Sequence, residues 1–344
     1  RTATFGRNMM ERKSTGLSAS LGTMIVPDWF WMSNGNAADR GGGQSYSNKK
    51  INSLYGTVGV NYDGWAFLDI TARNDWSSAL SKENQSFFYP SVSASWVISD
   101  MINNRGKGMP EWFTYAKARV SYAEVGNDMD PYQLYNAYSI GSEGNTGGIT
   151  ASPSSSTLFS DKVKSELIKS WEAGAEVRFF NNRLGLDFTW YKSNATRQLL
   201  NLPMNSLSGY GAMKINAGNI QNSGIEIALN TTPIETEDWT WDLNFTYTRN
   251  RSKIIELHEN VADFIALSGD VAYGNYRVGS VAKVGGAYGL LMSDSMTKVD
   301  KTSGMKVLGW SANMISAHWY RSGELEEVGD INPDFLGSLN TSLR

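Results

Sequence analysis

In segment after segment of this chain, apolar residues recur at every second position with small or polar residues between them. That period is the signature of a strand whose two faces meet different surroundings. Leu17, Ala19 and Leu21 oppose Ser18, Ser20 and Gly22, and Val58, Val60 and Tyr62 oppose Thr57, Gly59 and Asn61. After Asp63-Gly64, Ala66, Leu68 and Ile70 oppose Phe67, Asp69 and Thr71. An Asp-Gly pair between two such runs predicts a tight hairpin, because both residues tolerate positive φ. The alternation resumes at 91–98, 117–122, 171–179, 184–190, 225–230, 239–248 and 338–343, with turns at Asn181-Asn182 and around Pro233. About ten antiparallel strands are predicted.

The connections between them alternate in length. Those at 63–64, 180–183 and 232–238 are short and 99–112 is intermediate, whereas 27–50, 126–168 and 251–334 are long. Gly41-Gly42-Gly43 and the Pro153-Ser154-Ser155-Ser156 run read as loop punctuation. Short turns on one side and long loops on the other is the arrangement of an outer-membrane barrel, with the long loops extracellular.

Composition bears on the choice between such a barrel and a soluble sandwich. Charged residues are 19% of the chain, below the roughly 25% of ordinary soluble domains, and aromatics reach 12%. No run approaches 18 apolar residues and mean hydropathy is -0.36, which excludes a helical span but not a strand crossing. A sandwich usually solvates its second face with Lys and Glu. Here that face mixes Ser, Thr, Asn and Gly with carboxylates and Arg, as a crowded wet lumen would. Tyr62, Trp65, Trp96, Phe179 and Trp239 stand near strand ends, where rings form interfacial girdles. Lys192 falls on the lipid-facing parity, which places it at the rim, where it snorkels. An Arg at Leu186 or Leu243 is therefore expected to be costly, and one at Thr189 or Asn244 tolerated.

A net charge of -3 offers no basic field for nucleic acid. With no Cys and two His, thiol chemistry and Cys- or His-rich metal sites are not expected, and no cofactor is implied. The chain opens at Arg1 without a Met or an apolar leader and stops in an alternating run, so it reads as an internal piece of something longer.

Several blocks carry a resemblance. The segment 169–191, KSWEAGAEVRFFNNRLGLDFTWY, resembles the strand–turn–strand of SusC/RagA-type TonB-dependent outer-membrane transporters. So do 215–227, INAGNIQNSGIEI, and 328–337, VGDINPDFLG, and the Arg73-Asn74-Asp75 triplet followed by 88–96, FYPSVSASW. They come in the family's order over about residues 50–344. The resemblance implies an all-β fold, an antiparallel transmembrane barrel of about 22 strands with a plugged lumen. This chain would supply roughly the middle ten, an open curved sheet when isolated, with 251–334 as a large extracellular loop region. The family's plug, TonB-engaging motif, signal peptide and last strands have no counterpart in it. The implied function is import of a nutrient of the oligosaccharide or peptide class. The implied partners are a SusD-like surface lipoprotein, the TonB complex through the absent N-terminal part, and outer-membrane lipid. The other reading the residues allow is a secreted carbohydrate-binding or carbohydrate-active β-protein.

Glu172, Glu176, Asp187, Glu226 and Asp242 could be imagined as a glycosidase pair. They lie instead along one strand face with Lys117, Arg119 and Arg178 as partners, so no catalytic residue is assigned. Asp69, Arg73, Arg119, Glu176, Arg178, Asp187, Glu226 and Asp242 are expected to face the lumen. Ligand contact is expected from loop aromatics, because rings stack on sugar faces and peptide side chains. These are Trp29, Phe30 and Trp31 with Tyr46, and a second group at Tyr132 and Tyr135. The competing reading packs these loops on the barrel mouth or the lipoprotein. Asp128 and Asp130 lack the Gly and bidentate Glu of a calcium loop, so no metal is assigned.

Overall fold

A computed structural model describes residues 1–106, 108–142, 149–259, 261, 264–267, 271–273, 276–294, 299, 302–310, 317–319 and 325–344. Ten strands form one antiparallel sheet in chain order. They are β1 Thr2–Ser20, β2 Gly41–Tyr62, β3 Ala66–Ser77, β4 Ser86–Val97, β5 Phe113–Asn127, β6 Glu166–Phe179, β7 Leu184–Pro203, β8 Ala212–Glu235, β9 Thr240–Glu256 and β10 Leu336–Leu343. The two-residue strand Thr157–Leu158 adds in parallel to β8. Among the described residues no helix is long and apolar enough to cross a membrane.

Every run of alternation is a strand, but the strands outrun the alternation. β2, β7 and β8 have 22, 20 and 24 residues, about twice the 9–11 that a tilted crossing needs. Their long-loop ends therefore stand beyond any bilayer. Gly41, Gly42 and Gly43 are not loop: they pair with Ser20, Ala19 and Ser18. A Cβ on Gly41 or Gly43 would come within 2.8 or 2.9 Å of the facing serine hydroxyl, so glycine here lets two strands close up. The first long loop is thus 21–40, and Tyr46 lies on β2 opposite Thr15. Pro233 is not a turn either. It sits inside β8 where the register to β9 shifts between Thr231 and Ile234, a bulge being one of the few strand positions that tolerates a missing N–H. Asp63 and Gly64 adopt φ of 51° and 74°, as the hairpin requires. Ile98 opens a helix, Ile98–Asn104, rather than ending β4, and Asn104 Nδ2 donates to the Asp63 carbonyl at 2.9 Å.

The register carries the alternation across the whole sheet. One row runs Val60, Leu68, Ala94, Val120, Ala173, Trp190, Ile225; the row one residue away runs Gly59, Asp69, Ser93, Ser121, Glu172, Tyr191, Gly224. The apolar face carries two belts of rings. At the short-turn end Trp65 meets Tyr62 at 5.4 Å and Trp96 at 6.3 Å between centroids, and Phe113 meets Phe179 at 5.2 Å. The other belt holds Phe88, Tyr122, Trp171, Trp190 and Tyr247, with Tyr122 and Trp171 at 4.7 Å. From Phe179 to Trp171 the chain spans about 26 Å along the strand, the scale of a barrel's apolar band. Lys192 pairs with Trp171, one step beyond Trp190, at the rim of that band.

Beyond the band, the loops build small cores of their own. Ala79, Leu80, Met129 and Val163 are buried together where the 78–85 connection meets the loop after β5. The segment between β9 and β10 is not merely loop. It holds a second sheet of Phe264–Ala266, Val271–Tyr273, Tyr276–Lys283, Tyr288–Ser293 and Glu326–Asp330, packed on Val281, Leu290 and Met292. Ile254, fully buried, ties that sheet to β9 through backbone bonds to Gly285 and Gly286 of 2.8 and 2.9 Å.

The outer edges of β1 and β10 have no partner among the described residues, and the apolar face is exposed along its length. Unpaired strand edges beside apolar surface drive association. Residues 1–344 expressed alone are therefore expected to aggregate without detergent. A sharp, reversible melt of a detergent-free monomer would show a closed core and overturn this account of the sheet.

Candidate functional site: the polar face and the long-loop end

The polar face is held by charges that reach past their neighbouring strand. Arg119 on β5 grips Asp187 on β7 through two bonds of 2.8 and 3.1 Å, and also donates to Thr189. Between them lies β6, and the crossing point is Gly174, where a Cβ would sit 2.7 Å from the guanidinium carbon. Glycine here serves close approach rather than a turn. The same device recurs where Tyr191 of β7 passes over Gly224 of β8 to donate to Asn250 of β9 at 3.1 Å. Tyr55 likewise lies over Gly6.

The eight polar residues expected on one face all share the parity opposite the apolar rows. Arg178 meets Glu176 at 2.7 Å and lies 5.1 Å from the Tyr115 ring centroid. Arg73 meets Asp75 at 2.8 Å and donates to Ser53 at 3.0 Å, while Tyr89 donates to Asp75 at 2.5 Å. Asp242 accepts from Thr232 at 2.9 Å and from Arg344 at 3.1 Å. Asp69 and Glu226 have no ion-pair partner among the described residues. Glu172, Glu176 and Asp187 are thus held by Arg119 and Arg178, an arrangement of paired structural groups.

Gly174→Val should push Arg119 off Asp187 and cost about 1–3 kcal/mol of barrel stability, the usual range for overpacking. In an Arg119→Ala background the same change should cost much less, because the obstructed group is gone. Additive costs in that double-mutant cycle, read by denaturant unfolding of the full-length protein, would refute the crossing.

At the long-loop end stands an anchor that no local pattern in the sequence marks. Asp128, which the sequence shows only as part of an incomplete calcium loop, accepts from Lys49 at 2.6 Å and from the Ser77 hydroxyl. Lys49 also donates to the Met129 carbonyl at 3.0 Å, so the loop after β5 is pinned to β2 and β3. Tyr132 contributes to the same anchor, its hydroxyl accepting from the Asn48 amide at 3.1 Å. The bonds of Asn136 to Phe159, in both directions at 2.8 and 3.1 Å, close the loop on itself. Further along, Tyr138 and Tyr210 share a hydroxyl hydrogen bond of 3.2 Å, which raises the Tyr210 phenol pKa.

The aromatic triplet is presented rather than packed. Buried Asn34 bonds the Val26 amide and the carbonyls of Val26 and Trp29, at 2.7 to 2.9 Å, and Arg40 holds the carbonyls of Ser33 and Gly35. On that stapled loop Trp29, Phe30 and Trp31 remain 57%, 78% and 65% exposed. Tyr46 and Tyr135 are exposed as well, and no two of the six candidate rings stack among the described residues. Tyr46 belongs to a strand and Tyr132 to an anchor, which leaves the triplet and Tyr135 as the exposed loop rings among these six.

Among the described residues, hollows open near the short turns and near the long loops. A depression of about 500 Å³ lies beside Trp65 and Trp96, where Ala66, Ala94 and Ala118 leave the apolar face shallow. A cavity of about 380 Å³ opens near the long loops, where the β4–β5 ladder stops at Ser91 and Ala123, just short of Pro90.

An antiparallel sheet with ring belts on an apolar face and crossed ion pairs on the other is a length of outer-membrane barrel wall. The chain belongs to the family described as TonB dependent receptor-like, beta-barrel, whose profile matches residues 13–326. It is 27% identical over 320 residues to TonB-dependent receptor P3 of Formosa agariphila, covering 87% of this chain and 31% of that protein. To TonB-dependent receptor SusC of Bacteroides thetaiotaomicron it is 27% identical over 252 residues, 68% of this chain and 24% of that one. Its fold is similar to a structure of the RagAB peptide transporter, with a TM-score of 0.79 at 19% identity, covering 99% of this chain and 37% of the other. The resemblance to SusC/RagA-type transporters is thereby confirmed. The chain spans between about a quarter and somewhat over a third of the length of these relatives. It is a stretch of the β-barrel of an outer-membrane receptor family, which replaces the secreted β-protein reading.

Proposed function

We propose that this chain is part of the wall of a TonB-dependent importer, with its polar face lining the lumen and its long loops outside the cell. The observation that carries the reading is the polar face itself. Charges satisfied by one another across strands, as Arg119 is by Asp187, line a wet passage without binding the cargo tightly. The cargo belongs to the oligosaccharide or peptide class, and the Trp29–Phe30–Trp31 loop offers it stacking surfaces at the mouth. A SusD-like surface lipoprotein covers that mouth, and the TonB complex drives import through a plug encoded outside this chain. The 251–334 region, with its own small sheet, stands on the same extracellular side.

A single experiment on the full-length protein tests this. Replacing Trp29, Phe30 and Trp31 together by Ala should depress growth on the oligosaccharide or peptide mixture that the wild type uses, while heat-modifiable gel mobility is unchanged. In intact cells Ser33→Cys should label and Glu237→Cys, at a short turn, should not; Gly64, at φ 74°, is a poor place for the second probe. Labelling at residue 237 alone would invert the orientation.

A further inference from the structure

The ring belt nearer the long loops carries a second pattern on the same face. Trp171, Trp190 and Tyr247 stand on β6, β7 and β9. Trp190 lies one row below the residue that pairs with Trp171, and Tyr247 one row below Trp190's, as tilted strands require of a level belt. Two residues beyond each of these three rings, on the same face and away from the short turns, stands a cation, Lys169, Lys192 or Arg249, whereas beyond Phe88 and Tyr122 of the same belt stand Ser86 and Glu124. Arg251 and Lys253 continue that face of β9. The opposite belt has no such row, since two residues beyond Tyr62, Trp96 and Phe179 are Gly64, Ile98 and Asn181.

Three of these five cations have no carboxylate partner among the described residues, and the carboxylate on Arg251 is an exposed one that an incoming anion can displace. Lys169 meets Glu124 at 3.5 Å and Arg251 meets Asp334 at 3.0 Å, but Lys192, Arg249 and Lys253 have no ion-pair partner among the described residues. Register puts Lys192 and Arg251 in one row, two strands or about 10 Å apart, with Arg249 about 7 Å from Arg251 along the strand. At this spacing one multivalent anion can reach all three cations at once. A belt ring marks the headgroup level, and a side chain two residues further out, about 7 Å along the strand, reaches the phosphate layer.

We propose that Lys192, Arg249 and Arg251 bind the phosphate groups of an outer-leaflet glycolipid, a phosphorylated lipid A, on the outside of the barrel wall. The two guanidinium forks grip phosphate oxygens in pairs, and Lys192 adds a point charge from two strands away. The acyl chains then run down the apolar face past Trp190 and Phe188. This site rests on the orientation given above and is independent of the cargo.

The test uses the full-length protein in detergent, with diphosphoryl lipid A as the probe and native mass spectrometry as the readout. The K192Q/R249Q/R251Q variant should retain at least tenfold less lipid A than wild type, while both retain phosphatidylcholine equally. Unchanged lipid A retention overturns the proposal, and so does complete displacement of lipid A by millimolar inorganic phosphate, which would mark a free-phosphate site. If the triple variant loses its heat-modifiable mobility, the single variants K192Q and R249Q decide, each expected to lose retention several-fold. Failure of the Ser33→Cys label would remove the orientation while leaving the selectivity for lipid A in detergent to stand or fall separately.

Discussion

Replacing Leu243 by Arg is expected to cost roughly 2–4 kcal/mol of barrel stability, and replacing its neighbour Asn244 by Arg well under about 1 kcal/mol. The two residues are adjacent on β9 and differ only in the face they present. Leu243 pairs with Thr231 and Thr341 on the apolar face, and Asn244 with Asn230 and Asn340 on the polar one. On the apolar face a guanidinium must be taken into hydrocarbon, whereas on the polar face it stays among amides and hydroxyls. Leu186, at 37% exposure on the apolar face, should behave as Leu243 does. Thr189 is not the tolerant position its parity suggests, because it is 9% exposed beneath Arg119 and already bonded to it. Refolding titrations of the full-length barrel into lipid read the difference. Equal costs at 243 and 244 would mean the faces are misassigned.

The second large effect is expected at the loop anchor. Asp128 and Lys49 have side chains 8% and 18% exposed, so neither is well solvated. Removing one partner of such a pair leaves the other charge uncompensated, at about 3–5 kcal/mol when fully buried and toward the lower figure here. Asp128→Ala should therefore release the loop after β5 without unfolding the sheet, because the β2–β3 and β4–β5 ladders do not depend on it. The expected readout is proteolytic cutting within 128–165 at protease concentrations that leave the wild type intact, with gel mobility of the barrel unchanged. A loop as protected as the wild type would show that the anchor is dispensable. Lys49→Met together with Asp128→Ala should recover part of the loss, since no charge is then stranded.

Much of this was legible from residue order because a strand's two faces are a local property. Residues 171–179 of β6 or 184–190 of β7 show which side is apolar, and the neighbours need not be known. The same holds for the turn at Asp63-Gly64, whose φ values follow from residue type. The blocks that carried the family resemblance prove to be structural joints as well. Arg73 and Asp75 form an ion pair closed by Tyr89, and Asn216 bonds the carbonyls of Lys164 and Arg197 at 2.8 and 2.9 Å. The loop aromatics were legible as residue types but not as a group. Whether a ring in a loop is presented, paired or strand-bound depends on contacts such as that of Tyr132 with Asn48, 84 positions away.

By itself, then, the sequence determined the number of strands in the main sheet, which face of each is apolar, the rings near the short turns and which side has the long loops. All of these follow from period two and from turn chemistry. Only the tertiary structure decided how far the strands run, and Gly41 to Gly43 became strand because serines on β1 could close against residues without a Cβ. It alone decided the partner of each charge. Arg119 reaches Asp187, 68 positions on, by passing over Gly174, and Asp128 reaches Lys49, 79 positions back. Such pairings are set by register and by what stands on the strand between, and no stretch of sequence short enough to show a period contains both members.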